Sequence, residues 1–313
     1  MSDTQYGGQA VIEGIMMRGK ERIAIAVRKA PDNIVLKKMK AGTITRKYSF
    51  LKWYFVRGIV ALISSLAVGI KALSFSASQV AEEEDEKITP LEMAGSIIIA
   101  FGFAIVLFVI IPAGIVSLIQ PFIPNNIILN MIEGIIKISA FLSYLFVISR
   151  LDDINRVFMY HGAEHKVIYT HENGLPLTVD NARQFSTLHP RCGTNFIFIV
   201  IILSIFFFSF FGRPPLLLRI LYHLLLLPII AGTSYEIIKM AGQKNAGSFI
   251  RAIAAPGLYL QKLTTREPDD SMLEVAITAL KAIINNKENN DCKEDKATGD
   301  DVKPIEDQEK KVK

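Results

Sequence analysis

The segment His161-Gly162-Ala163-Glu164-His165 concentrates more potential chemistry than any other stretch of this chain. Helical residues three and four apart share a face, so a helix through it presents His161, Glu164 and His165 together. Two imidazoles at that spacing can chelate one divalent ion. A carboxylate one residue before the second histidine then lies beside the ion and can take a proton from water, as in H-x-x-E-H zinc-peptidase motifs. The plain structural alternative is a polar helix whose histidines hydrogen-bond to their neighbours. A second pair, His189-Pro190-Arg191-Cys192, has His-x-x-Cys ligand spacing on a turn that Pro190 favours. Brought around one ion, His161, His165, His189 and Cys192 are a ligand set of the types zinc favours. Otherwise Cys192 is a small buried residue and His189 caps the helix that follows.

The number of groups that bind separates two functions. Four ligands close the shell and make the metal structural. Three leave a position for water, giving Glu164 the role of general base in metal-assisted hydrolysis, with Glu236 a possible ligand in place of His189 or Cys192. His171, in the turn-like Thr170-His171-Glu172-Asn173-Gly174, reads as a surface histidine.

Half of the 313 residues are hydrophobic while 21% are charged, and the mean hydropathy is +0.33. This mixture predicts separate membrane and aqueous parts. The net charge of +5 is modest and suits an anionic membrane surface. The bilayer is thus the expected partner, and no nucleic acid is expected. Of the two cysteines, Cys292 lies in a polar tail, so a disulfide framework is not expected. Met1 to Tyr6 lacks the basic start and apolar core of a signal peptide, so insertion relies on internal segments.

Residues 1–49 alternate in the manner of short strands, through Ala10 and Ile12, then Ile23, Ile25 and Val27, then Ile34 to Leu36, with turns at Gly7-Gly8, Arg18-Gly19-Lys20 and Pro31-Asp32-Asn33. They predict a small antiparallel sheet that must pack on the membrane part or the His161 region to be stable. Glu13 reads as a strand carboxylate paired with Arg18. Residues 50–80 are helical in pattern, but Arg57, Lys71 and several serines weaken the apolar run, which reads as an interfacial or re-entrant helix. Residues 81–92 read as an acidic linker.

Segments 93–119, 127–149, 194–212 and 215–235 each approach the ~20 residues needed to cross ~30 Å of hydrocarbon. They predict an α-helical polytopic membrane protein with four transmembrane helices in two hairpins, 93–149 and 193–236, separated by the 150–192 loop that carries the histidines. Helical pieces fill 237–284, and the polar 285–313 tail reads as disordered. Twelve lysines and arginines fall within residues 1–57 and none in the 120–126 turn. The positive-inside bias then puts both termini and the 150–192 loop on the cytoplasmic side of the cytoplasmic membrane, where Cys192 is reduced. Glu133 and Lys137, four apart, can neutralise each other, and they join His223 as ionisable groups near membrane depth.

Tyr6-Gly7-Gly8-Gln9-Ala10-Val11-Ile12-Glu13-Gly14 with Met16-Met17-Arg18, Tyr160 to Lys166, His189 to Thr194, and Thr264-Thr265-Arg266-Glu267-Pro268 resemble the blocks of the YqhQ family of bacterial membrane proteins, over about residues 5–284. That family is uncharacterised and is predicted to be a metal-dependent enzyme. The resemblance therefore implies a membrane location and a metal, with Glu13, Arg18 and Glu267 beside the histidine and cysteine residues in its blocks, and no known reaction.

Together these readings point to a membrane protein with a cytoplasmic-facing zinc-type site, expected to act as a hydrolase of a membrane-associated substrate. A non-enzymatic scaffold with a structural metal or histidine cluster is the alternative. Transport along Glu133, Lys137 and His223 is a third reading, with simpler explanations for each group and no evident repeat behind it.

Overall fold

The computed structural model describes residues 6–41, 53–83, 89–210, 216–241 and 247–284. The N-terminal region is a four-stranded antiparallel meander, β1 (Gly7–Val11), β2 (Gly14–Arg18), β3 (Arg22–Ala30) and β4 (Asn33–Lys40), in the order β1-β2-β3-β4. Its register pairs Ala10 with Ile15, Met16 with Ile25 and Ala26 with Leu36. One more hairpin is present than the sequence announces. The β1–β2 turn at Ile12-Glu13 lacks the usual Asn-Gly or Asp-Gly, and Glu13 takes a φ of +48°.

The remaining elements are helices: α1 (Tyr54–Glu83), α2 (Pro90–Ile105), α3 (Ile111–Ile119), α4 (Asn126–Ile148), α5 (Asp152–Glu172), α6 (Val179–Arg183), α7 (Gly193–Ser209), α8 (Leu216–Ala241), α9 (Ser248–Thr264) and α10 (Asp270–Ile284). Local sequence sets several boundaries. Thr89 and Glu92 form a reciprocal capping box ahead of α2, with Pro90 in its first turn. Pro112 cannot donate to the ladder, and the turn before it, Val106–Ile110, relaxes into π geometry that carries α2 into α3. Asn125 caps α4 by accepting from the amides of Ile127 and Ile128.

Both faces of the sheet are covered. Ile15, Met17, Ala24 and Ala26 pack with Tyr160 and Val167 of α5 and with Met272, Val275 and Ala276 of α10. The alternate residues Met16, Ile23, Ile25 and Val27 pack with Ala72 of α1 and its neighbours Val68 and Phe75. Period-two alternation thus feeds two cores. Ala24 and Ala26, which the alternation assigned to the less apolar face, are fully buried because α10 lies over them.

Three stretches of the described residues are long and apolar enough to cross a membrane: Val56–Ala81, Leu91–Phe122 and Asn126–Ile148. Gly193–Ser209 is a shorter apolar helix. Exposed Ile98, Ile99, Leu118, Phe146 and Val147 give the second and third stretches the surface a lipid phase accepts. The expected spans 93–119 and 127–149 coincide with the second and third. Segment 215–235 falls in α8, while 211–215 and the side chain of His223 lie outside the described residues, as do residues 84–88 of the expected acidic linker and the 285–313 tail. Glu133 and Lys137 form the expected ion pair at 2.9 Å.

Most of the 50–80 segment lies in one unbroken 30-residue helix, α1, whose apolar stretch is long enough to cross, while residues 50–52 lie outside the described residues. The two ends of α1 have different neighbours. Its first turns cross α8 closely, since a Cβ at Gly58 would stand 2.7 Å from Gly232 Cα. Its later turns lie on the sheet, where Arg18 donates to Ser64 Oγ at 3.0 Å and Ser65 Oγ at 3.3 Å.

Candidate metal centre

Asp152 and Asp153 occupy the first turn of α5, where the helix dipole favours negative charge. Further along, Tyr160 and the run from Gly162 to Ile168 are buried, although this run includes Glu164, His165 and Lys166. Burying such groups is costly unless they are paired, so each must find a partner in the segments that wrap the helix. Lys166 does so with Glu267 at 2.5 Å and the Arg183 carbonyl at 3.0 Å.

Gly162 is what allows one of these segments to approach. A Cβ there would come inside 3.0 Å of the Arg266 carbonyl oxygen and 3.1 Å from Thr187 Cγ2, so any side chain would push 264–266 away. The close crossing brings the Thr264 carbonyl 2.8 Å from His161 Nδ1. On the other side of the helix, His165 Nδ1 is bonded to the Thr187 carbonyl. A carbonyl can only accept, so Nδ1 of each ring carries the proton. In the neutral imidazoles the lone pairs are therefore on Nε2.

Those lone pairs converge. His161 Nε2 is 3.1 Å from Cys192 Sγ, and His165 Nε2 is buried with no hydrogen-bond partner among the described residues. The three candidate ligand atoms, from His161, His165 and Cys192, all lie within 4.8 Å of one another. Cys192 is the N-cap of α7, its sulfur accepting from the Thr194 amide at 3.4 Å. The donor types and the orphaned nitrogen fit a zinc-type ion. Burial lowers the pKa of His165 and so favours the neutral, ligating form of the ring.

His189 stands beside this cluster, outside it. Its Nδ1 accepts from the Arg191 amide at 3.3 Å, and its Nε2 faces Glu172 Oε2 at 3.5 Å. Its ring lies 4.6 Å from that of Tyr169 and 5.6 Å from that of His165. Burial pushes the His189 imidazole down to about 4, against a smaller opposing influence from Glu164. Sequence reasoning missed what holds His189. Gln261, fully buried, bonds both backbone groups of His189 at 2.8 Å and reaches Asn195 Oδ1 at 2.9 Å. A lone glutamine on an amphipathic helix gives no sequence sign of such a clasp.

Glu164 points to the sheet. Its carboxylate accepts from the Gly8 amide, and a Cβ at Gly8 would stand 2.8 Å from Glu164 Cδ. Burial raises its pKa, opposed by His161, His189 and the Gly8 hydrogen bond. Glu236 is elsewhere, accepting from Arg57 Nε at 2.6 Å where α1 meets α8. Glu13 pairs with Arg156 in place of the expected Arg18, through two bonds of 2.5 Å, and its Oε2 accepts from Tyr160 at 3.3 Å. The hairpin turn carries this carboxylate over α5, while Arg18, one strand away, serves α1. His171 meets the edge of Tyr6 at 5.0 Å.

The sequence model of a family described as "Protein of unknown function (DUF1385)" matches residues 53–286, which include every candidate ligand. The chain belongs to this family. A member from Bacillus subtilis (strain 168), described as "Uncharacterized protein YqhQ", is 35% identical over 292 residues, covering 89% of this chain and 92% of the relative. No solved structure matches. Neither family description names an activity or a cofactor, so the metal-dependent chemistry that the resemblance implied draws no support from these relatives.

Proposed function

We propose that this chain is a multi-pass protein of the cytoplasmic membrane that holds one divalent ion of zinc type with His161, His165 and Cys192, and uses it to hydrolyse a membrane-associated substrate. The observation that carries the metal reading is the orientation of the two imidazoles. Backbone carbonyls take both Nδ1 protons, turning one Nε2 to the Cys192 sulfur and leaving the other buried in the same group with no hydrogen bond within normal geometry among the described residues. An ion bound there would supply Lewis acidity and make water a better nucleophile at neutral pH. Three protein ligands leave a coordination position open. Glu164 is the group to accept a proton, because burial raises the pKa of its carboxyl and the Gly8 amide fixes its position. The positive-inside bias supports a cytoplasmic placement of the site and both termini, with 93–149 and 193–236 as hairpins and α1 linking membrane to sheet.

The burial of His165 (1% exposed) and Glu164 (6% exposed) favours a second reading, in which the same ion is a staple and no reaction occurs. Bound metal per protomer in detergent-purified protein tests the first step. About one zinc per chain, lost in His165→Ala and Cys192→Ser but kept in His189→Ala and Glu236→Gln, supports the three-ligand site. No metal in any preparation, even after zinc is supplied, refutes it. A Glu164→Gln protein that keeps both its metal and its full cellular function leaves the staple as the reading.

A further inference from the structure

A cavity of about 740 Å³ opens between the sheet, α1 and α8, and its lining carries Arg18, Lys20, Arg191 and Lys239 with no carboxylate among the described residues. Arg191 is matched by Glu172 nearby. Among the described residues Arg18 is held by the hydroxyls of Ser64 and Ser65 and by no carboxylate, and neither Lys20 nor Lys239 pairs with an acid. Like charges converging on one concave, partly apolar space repel one another, and an anion placed among them relieves that repulsion. The guanidinium of Arg18 is positioned in advance by its two serines, the arrangement that suits a fork-like contact to phosphate oxygens. The volume lies in the range of small-molecule sites. Ala61 and Ile238, from the two helices that flank the cavity, give it an apolar wall beside the charges.

We propose that this cavity binds a phosphate-bearing ligand, with Arg18, Lys20 and Lys239 as its anion contacts. An amphiphile fits best, with its phosphate among these three residues and its apolar part along α1 and α8. The cavity shares a wall with the histidine cluster, because Gly8 lines it while its amide holds Glu164, and Arg191 adjoins Cys192. The binding itself does not depend on a metal or on catalysis.

The test is equilibrium binding to the full chain in neutral detergent, with three monomeric probes: short-chain phosphatidic acid, glycerol phosphate and short-chain phosphatidylcholine. Saturable binding of phosphatidic acid, weakened about tenfold or more in Lys20→Ala/Lys239→Ala and further in Arg18→Gln, is the expected result. The two lysines are exposed, so their removal leaves the fold intact and unfolding midpoints check this directly. Competition by glycerol phosphate would assign the site to a soluble phosphate ester, and binding of the lipid alone would assign it to a headgroup. Either supports the proposal. Lack of saturable binding by both phosphate monoesters, equal binding of the zwitterionic lipid, or binding unchanged in the lysine variant overturns it. Cys192→Ser protein should bind the probes normally, which separates failure of the metal reading from failure of this one.

Discussion

Gly162 offers a sharp test of the site's construction, because a single methyl group should disturb both the fold and the ligands. In Gly162→Ala the new Cβ would sit inside 3.0 Å of the Arg266 oxygen, where ordinary contact begins near 3.4 Å. The 264–266 segment must then retreat by more than about 1 Å. That retreat carries the 2.8 Å bond from His161 Nδ1 to the Thr264 carbonyl beyond hydrogen-bonding distance. It also strains the 2.9 Å bond from the Arg266 amide to the Phe158 carbonyl. Overpacking of this kind costs about 1–3 kcal/mol, and weakening two hydrogen bonds adds about 1 kcal/mol. At roughly 2–4 °C per kcal/mol, the unfolding midpoint should fall by about 5–15 °C. Loss of the carbonyl that orients His161 should weaken zinc affinity about 10- to 100-fold, read by competition with a chromophoric chelator. Gly162→Ala protein with an unchanged midpoint and unchanged zinc affinity would refute both the close crossing and the role given to Thr264.

Two further predictions probe other links. In metal-free protein His189 should make stability depend on pH: its imidazole titrates at about 4 when folded and near 6.5 when unfolded, so the unfolded chain takes up the proton first. Stability is then full above about pH 6.5 and falls by up to about 3 kcal/mol as pH drops toward 4, while His189→Gln should flatten that slope, leaving the same-signed part from His165. A slope unchanged in His189→Gln would refute the assignment. Gly58→Leu should push α1 away from Gly232 and break the 2.6 Å Arg57–Glu236 bond, stranding a carboxylate that is 5% exposed. A loss of about 3 kcal/mol should follow, and a wild-type unfolding midpoint would contradict the close contact between these helices.

What could be read from sequence was whatever depends on short-range periodicity. The H-x-x-E-H run is on a helix because nothing in 152–172 breaks one, and the sheet follows from alternation in 22–40. The β1–β2 hairpin was not legible. Its turn places a non-glycine residue at positive φ, and Glu13 is tied there by Arg156, a contact 143 residues away in the chain. Segment 50–80 shows the same limit. Its serines and basic residues weaken a hydropathy profile, yet Ser64 and Ser65 have Arg18 as a partner and Arg57 has Glu236, so these polar groups cost the helix little.

The site itself divides along the same line. Residue types named the members of the cluster, since imidazoles four apart on a helix and a cysteine after a proline turn are legible locally. Which nitrogen of each ring keeps its lone pair is decided by two backbone carbonyls, Thr264 and Thr187, that carry no sequence signature at all. The same is true of His189, whose spacing to Cys192 suggested a ligand pair. The Arg191 amide takes its Nδ1, and its Nε2 faces Glu172. The cluster is therefore a product of three segments meeting, 161–165, 187–192 and 264–266, and only the smallest side chain at Gly162 lets the last of them close. The types of these side chains are written in the sequence; their orientation belongs to the packing.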